Sequence, residues 1–240
     1  MTDQLRTMGI DGCRAGWLAI CLDEGRESHH LIRTPGDLAA FFYASDVTLI
    51  DVPIGLSDDS STRMCDDLLR RILGPEYRSS VFSPPVRDAL MFDDYKAACD
   101  LNKQRSGKRF SIQAWNIVPK IRTVDTILQQ EKQLQGSVFE SHPELLFKKL
   151  NRGGPLLPKK KTKEGIEARR TLLSGVSEKA AEIEEEIRAK FRKSEVKDDD
   201  ILDALVLAHA AAQTSQKPLR SLPIPPEKDR TGLGMAIHFV

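Results

Sequence analysis

The apolar residues fall into short runs near the N-terminus and shift to a three-to-four-residue spacing further along. Residues 7–13 and the run Trp17-Leu18-Ala19-Ile20-Cys21-Leu22 predict two strands, and about 28–33 a third. The turn between the first two, Gly12 to Gly16, is short, so the three form an antiparallel meander. Thr34-Pro35-Gly36-Asp37 has the form of a helix start, with a capping hydroxyl followed by proline, and predicts a helix to about Ala44. Val47–Asp51 then reads as a fourth, buried strand closed by Pro53.

More than eighty residues separate Asp51 from the next convincing strand, Ser137–Glu140. Helical spacing near 60–73, 86–103 and 115–134 fills that gap better than one long loop, which is rare in a compact domain. Further helices are predicted at about 143–150, 164–174 and 177–193. The last carries Val176, Ala180, Ile183, Ile187 and Phe191 at helical spacing, with Glu184 and Arg188, and Glu186 and Lys190, as i,i+4 pairs. A final helix through Ile201–Ala208 and a strand at Met235–Phe239 complete the pattern. The predicted architecture is α/β: a mixed sheet, antiparallel meander plus parallel strands, flanked by helices. It forms one domain over 1–240 with helical insertions at about 57–136 and 143–197.

Composition narrows the class without naming a function. With 240 residues, 40% hydrophobic and 30% charged, the chain has the make-up of a soluble globular protein. Lys+Arg 36 against Asp+Glu 35 leaves a net charge of +1, so any basic surface is local. Cys13, Cys21, Cys65 and Cys99 show neither CxxC nor zinc-like spacing, which predicts reduced thiols and a cytoplasmic location. Met1–Arg6 shows no apolar leader, and the stretch from Ile201 to Ala212 is too short to span a bilayer; no membrane association is expected.

The chemistry lies in carboxylates. Asp203 sits within Ile201-Leu202-Asp203-Ala204-Leu205-Val206-Leu207-Ala208, a helix apolar on nearly every face and therefore buried. A lone buried carboxylate costs several kcal/mol unless it is paired, protonated or metal-bound. Asp200, three residues earlier, projects from the same side. Asp11 and Asp51 close two apolar strands, at the carboxyl ends where ligand crevices form in α/β sheets. Were those strands parallel neighbours, about 4.8 Å apart, the two carboxylates would share a cation. Oxygen ligands without cysteine select Mg²⁺ or Mn²⁺ over Zn²⁺, and a pair of such ions serves phosphodiester hydrolysis.

Each of these residues has an ordinary alternative. Asp11-Gly12 and Asp51-Val52-Pro53 also read as turn signals, and Asp200 as a helix cap or dipole partner. Glu140, closing Ser137-Val138-Phe139, is either a fifth carboxylate at the crevice or a polar strand end. His142 reads as a loop histidine and His209 as a packed one. Lys159-Lys160-Lys161-Thr162-Lys163 reads foremost as a solvated linker, or else as a phosphate contact. Trp115, followed by Lys120 and Arg122, suits either nucleic-acid stacking or a core.

Taken as ordered blocks, these segments resemble the predicted RNase-H-like nucleases, a family described only as a domain of unknown function. The blocks are Gly9-Ile10-Asp11-Gly12-Cys13-Arg14-Ala15-Gly16-Trp17, Ile50-Asp51-Val52-Pro53-Ile54-Gly55-Leu56, Arg63 with Cys65-Asp66, and Ser79-Ser80-Val81-Phe82. They continue with Gln113 to Ile121, Glu140-Ser141-His142-Pro143-Glu144, Lys160 to Gly165, Asp199 to Leu205, Pro225, and Asp229 to Met235. The resemblance implies an RNase-H-like fold and a nuclease activity on DNA or RNA. The Asp-x-x-Asp-Ala-Leu pattern of the last helix is also similar to that of Holliday-junction resolvases, where it supplies metal ligands. Carried over, it points to Asp11, Asp51, Asp200 and Asp203; the resolvases have a glutamate where this chain has Asp51. The expectation is a hydrolase dependent on Mg²⁺ or Mn²⁺. The alternatives are a non-catalytic adaptor of the same fold and a nucleotide-binding phosphotransferase. The latter is disfavoured because no internal repeat is present.

Overall fold

The computed structural model describes residues 5–23, 26–60 and 62–240. Residues 1–4, part of the segment inspected for a leader, lie outside the described residues. In chain order the elements begin β1 (Thr7–Cys13), β2 (Gly16–Asp23), β3 (Arg26–Ile32), α1 (Pro35–Tyr43) and β4 (Val47–Ile50). Helices α2 (Met64–Leu73), α3 (Tyr95–Ser106) and α4 (Ile112–Gln130) follow, then β5 (Val138–Glu140), α5 (Pro143–Leu150), α6 (Lys163–Ser174) and α7 (Ala180–Lys190). Helix α8 (Asp198–Ala212) and strands β6 (Arg220–Lys228) and β7 (Gly234–Phe239) close the chain. Among the described residues no helix is long and apolar enough to cross a membrane.

Two compact units result: Met1–Asp51 with Gly136–Arg220 and Phe239–Val240, and Val52–Gln135 with Ser221–His238. The first holds a five-stranded sheet in the order β3-β2-β1-β4-β5. The first three strands form the expected meander, β1 antiparallel to β2 and β2 to β3, while β4 is parallel to both β1 and β5. The fold is therefore a mixed α/β sheet. The β1–β2 turn is tighter than the glycine spacing implied: Gly12 belongs to β1, and Arg14-Ala15 alone make the turn, with Cys13 opposite Gly16.

Helix α8 is the central helix of this unit, lying against β1, β2 and β4 on one side and α5, α6 and α7 on others. Every residue from Ile201 to Ala208 is buried, as the all-round apolar pattern requires. Its approach to β1 depends on Gly9: a Cβ there would lie 2.0 Å from the Ala208 nitrogen and 2.5 Å from the Ala204 carbonyl oxygen. Glycine on the strand, with alanines one helical turn apart opposite it, lets the two backbones touch. The predicted ion pairs along α7 do not form. Glu184 instead takes Arg170 of α6, at 2.6 Å, and Arg188 takes Asp198 at the start of α8, at 2.7 Å. Longer-range partners win because they tie α7 to its neighbouring helices.

In the second unit, Val86, Ala89, Ala98, Cys99, Phe110 and Ala114 form a core against which Phe92, Tyr95, Leu101 and Trp115 pack. The helix expected over 86–103 is broken into a short 3-10 turn, Arg87–Met91, and α3. Asp94 causes the break by capping the new helix, its carboxylate accepting from the Ala97 N–H at 2.8 Å. Among the described residues strand β6 pairs only with β7. Pro223, Pro225 and Pro226 remove its amide donors and mask it from a sequence reading, but a two-stranded ribbon tolerates them.

Candidate functional site

The register of the sheet decides which side chains can meet. Strands β1 and β4 pair Ile10 with Ile50, and β4 and β5 pair Ile50 with Glu140. The next row holds Asp11, Asp51 and Ser141: the Asp51 N–H donates to the Ile10 carbonyl at 3.0 Å, and the Ser141 N–H to that of Ile50 at 2.9 Å. Successive residues alternate between faces. Asp11 thus shares the face of Gly9, the one covered by α8, and Asp51 follows Leu49 onto that face. Glu140 falls in the row of Ile10 and Ile50, on the opposite face. The sheet brings Asp11 and Asp51 together as expected and sets Glu140 apart from them.

Helix α8 lowers Asp203 onto this row. Asp11 is 7% exposed and Asp203 1%, and the charge of Asp203 acts on Asp11. Burial, then the charges of Asp203 and Asp51, push the Asp11 carboxyl well above the usual range. Burial likewise pushes Asp51 up to about 7, with Asp203 and Glu144 adding to the effect and Lys160 opposing it. Asp200 stands at the edge of the group. Burial drives its carboxyl up to about 6, although it accepts the Lys197 N–H at 2.8 Å. It therefore caps α8 while its charge still reaches Asp11 and the charge of Asp203 reaches it. Clustered carboxylates in a poorly solvated crevice resist ionisation together, and a cation relieves that resistance.

One cation is already there, and it comes from the lysine run. The Lys160 ammonium donates to Asp203 Oδ2 at 2.5 Å. Burial alone would lower its pKa, but Asp203, Asp11 and Asp51 outweigh burial and hold the amine charged, well above the ordinary lysine range. The run is thus not a free linker. Lys159, Lys161 and Lys163 are exposed, whereas Lys160 is turned inward. The loop bearing it is pinned by Arg169, which donates to the carbonyls of Pro158 and Gly165, both at 3.0 Å. Arg169 also forms a buried pair with Glu144, its Nη2 donating to both carboxylate oxygens at 2.7 and 2.8 Å. Thr162 caps α6 by accepting the Gly165 N–H at 3.1 Å. A Cβ on Gly165 would sit 2.0 Å from the Lys159 carbonyl oxygen, so glycine is what lets α6 press against the lysine loop.

Lys160 and the Glu144–Arg169 pair are the site residues that a reading of the sequence passes over. The one available signal is Thr162-Lys163-Glu164-Gly165, a capped helix start that leaves little of the run to act as linker. His142 is a helix cap, its Nδ1 accepting the Glu144 N–H at 3.3 Å. His209 contacts Gln213 at 2.6 Å, and burial lowers its pKa. In the other unit Trp115 packs against Tyr95 and Phe110, ring centres 5.8 and 6.2 Å away. Arg122 is engaged by Asp93 and the Phe92 carbonyl, both at 2.8 Å. The core reading of that segment prevails.

A test of the site against a divalent cation gives two results. Asp203 Oδ1 is buried with no hydrogen-bond partner among the described residues, and a buried carboxylate oxygen of this kind suits a further donor or a cation. The donor set is all oxygen, which fits Mg²⁺ or Mn²⁺. On the other hand, no three His, Cys, Asp or Glu side chains among the described residues form a ready metal cage. Lys160 lies among the acids where such a cage would close.

Two comparisons of the chain, with curated proteins and with solved structures, find no match. A family model described as protein of unknown function (DUF429) matches residues 9–228, a span that takes in Asp11, Asp51, Asp200 and Asp203. The chain belongs to the DUF429 family.

Proposed function

We propose that this protein is a divalent-metal-dependent phosphodiesterase acting on nucleic acid, a nuclease of RNase-H-like type. Asp11, Asp51 and Asp203 would hold the cation, with Asp200 at the margin. The observation that carries this reading is the convergence of these acids on one sheet face, where burial and mutual repulsion raise Asp11 and Asp51. The unpartnered Asp203 Oδ1 points the same way. The sheet itself, an antiparallel meander extended by two parallel strands, is what the RNase-H-like resemblance implies. When bound, Mg²⁺ or Mn²⁺ would supply charge neutralisation at the phosphate and an activated water. The chain's own residues bury Asp11 and Asp203 and, through Lys160, offset part of the acids' charge. Four cysteines with neither CxxC nor zinc-like spacing suit a reducing compartment such as the cytoplasm.

The test is Mn²⁺-dependent cleavage over single-stranded, duplex, hybrid and branched substrates, with Asp11→Asn and Asp203→Asn as controls. Cleavage abolished by both substitutions supports the reading. Metal binding with no cleavage of any substrate would reject catalysis. One observation favours the second reading, a non-catalytic adaptor: Lys160 already neutralises part of the acid cluster.

A further inference from the structure

Lys160 differs from every other lysine of its run in one respect that the nuclease reading does not require. Its stem spans from a pinned backbone to the most buried carboxylate of the site. Asp203 is 2% exposed at its side chain, whereas Lys160 keeps 32% of its own surface in contact with solvent. The base of the residue is held by Arg169 and by the Thr162–Lys159 turn, in which the Thr162 N–H donates to the Lys159 carbonyl at 2.9 Å. The four-carbon stem is not so constrained, because lysine carries its charge on a chain of rotatable bonds. The ammonium can therefore swing out to water while the loop stays in place.

We propose that Lys160 is a resident counterion of the carboxylate site: its ammonium occupies the place a divalent cation would take and withdraws when that cation binds. The inference rests on the metal-site reading above and adds a competitor to it. Two cations on Asp203 oppose each other at this range. An ammonium 2.5 Å from Asp203 Oδ2 would repel an ion bound to the same group, and little solvent lies between to screen them. The exchange has two consequences. The protein folds without metal although it buries several acids, and its affinity for metal is set partly by the free energy of removing the lysine. Metal binding and lysine retraction are thus linked, and each weakens the other.

The experiment is calorimetric titration of the full chain with Mn²⁺, comparing wild type, Lys160→Met and, as control, Lys161→Met on the exposed neighbour. Lys160→Met should bind Mn²⁺ about tenfold more tightly and melt at a lower temperature in EDTA. Lys161→Met should match wild type in both. A second measurement needs no variant. Acetylation of Lys160 by acetic anhydride, read by mass spectrometry, should accelerate as Mg²⁺ saturates the protein, while Lys161 keeps its rate. If wild type binds Mn²⁺ but Lys160→Met binds it no more tightly, or Lys160 stays protected in Mg²⁺, the counterion inference fails and the metal site stands. If neither wild type nor Lys160→Met binds Mn²⁺, both fail together, and Lys160 is a permanent ion-pair partner.

Discussion

Replacing Asp203 with asparagine keeps the side chain's shape and removes its charge. In an isolated buried ion pair that change costs about 3–5 kcal/mol, because the partner charge is left uncompensated. Here the partner is not abandoned. Lys160 still faces Asp11 and Asp51, both of which act on it. The substitution also removes the strongest carboxylate repulsion on Asp11. The asparagine carbonyl can go on accepting from Lys160, and its amide puts a donor where Asp203 Oδ1 had no partner. The opposing changes should nearly cancel, leaving a net effect within about 1 kcal/mol, or roughly 2–4 °C in Tm for a chain of this size. Cation binding has no such compensation. Loss of an outer-sphere partner of a metal site already costs 10–100-fold, so loss of a direct ligand should lower cleavage by more than about a hundredfold. Calorimetry in EDTA alongside Mn²⁺-dependent cleavage checks both numbers. A fall in Tm of about 6 °C or more with cleavage unchanged would refute the reasoning and make Asp203 a structural anchor for Lys160.

Further outcomes concern pH, packing and register. Burial raises Asp51 to about 7 and Asp200 to about 6, from an ordinary 3.8. Folding thus takes up protons across that window, so the stability they contribute is full below 3.8 and is lost as pH rises through 6–7. His29 and His30, depressed chiefly by burial, slope the other way. The readout is therefore the difference between wild type and Asp51→Asn in EDTA: the variant should lose less Tm between pH 5 and pH 8, and parallel curves would count against the cluster. Gly9→Ala drives a methyl into the backbone of α8. It should destabilise by about 1–3 kcal/mol or more in urea titration and weaken Mn²⁺ binding by lifting Asp203; an unchanged midpoint would mean that the contact is loose. Glu140→Gln should leave Mn²⁺ affinity within about twofold of wild type, because alternation along the strand faces it away from Asp11 and Asp51. A larger loss would overturn the register argument.

What could be read from the chain alone was whatever short-range physics dictates. The continuous apolar runs of β1 and β2, the Thr34-Pro35 start of α1 and the all-apolar α8 announce themselves because backbone sterics, capping and burial act within a few residues. Asp11, Asp51 and Asp203 were legible for the same reason: a carboxylate inside or at the end of an apolar run is costly wherever it lies. Glu140 looked equivalent to Asp51 in sequence, since each closes a strand. A one-residue difference in register, visible only once β4 and β5 pair, sends the two to opposite faces. The i,i+4 pairs of α7 were sound local expectations that neighbouring helices outbid. Lys160 was least legible of all. A run of lysines has no periodicity, and nothing local separates its second member from the rest. Only the packing of α6 and α8, with Gly165 against the Lys159 carbonyl and Arg169 pinning Pro158, brings that one ammonium to Asp203. Local pattern determined which groups carry an energetic cost; the long-range contacts decided which of them meet and which charge offsets them.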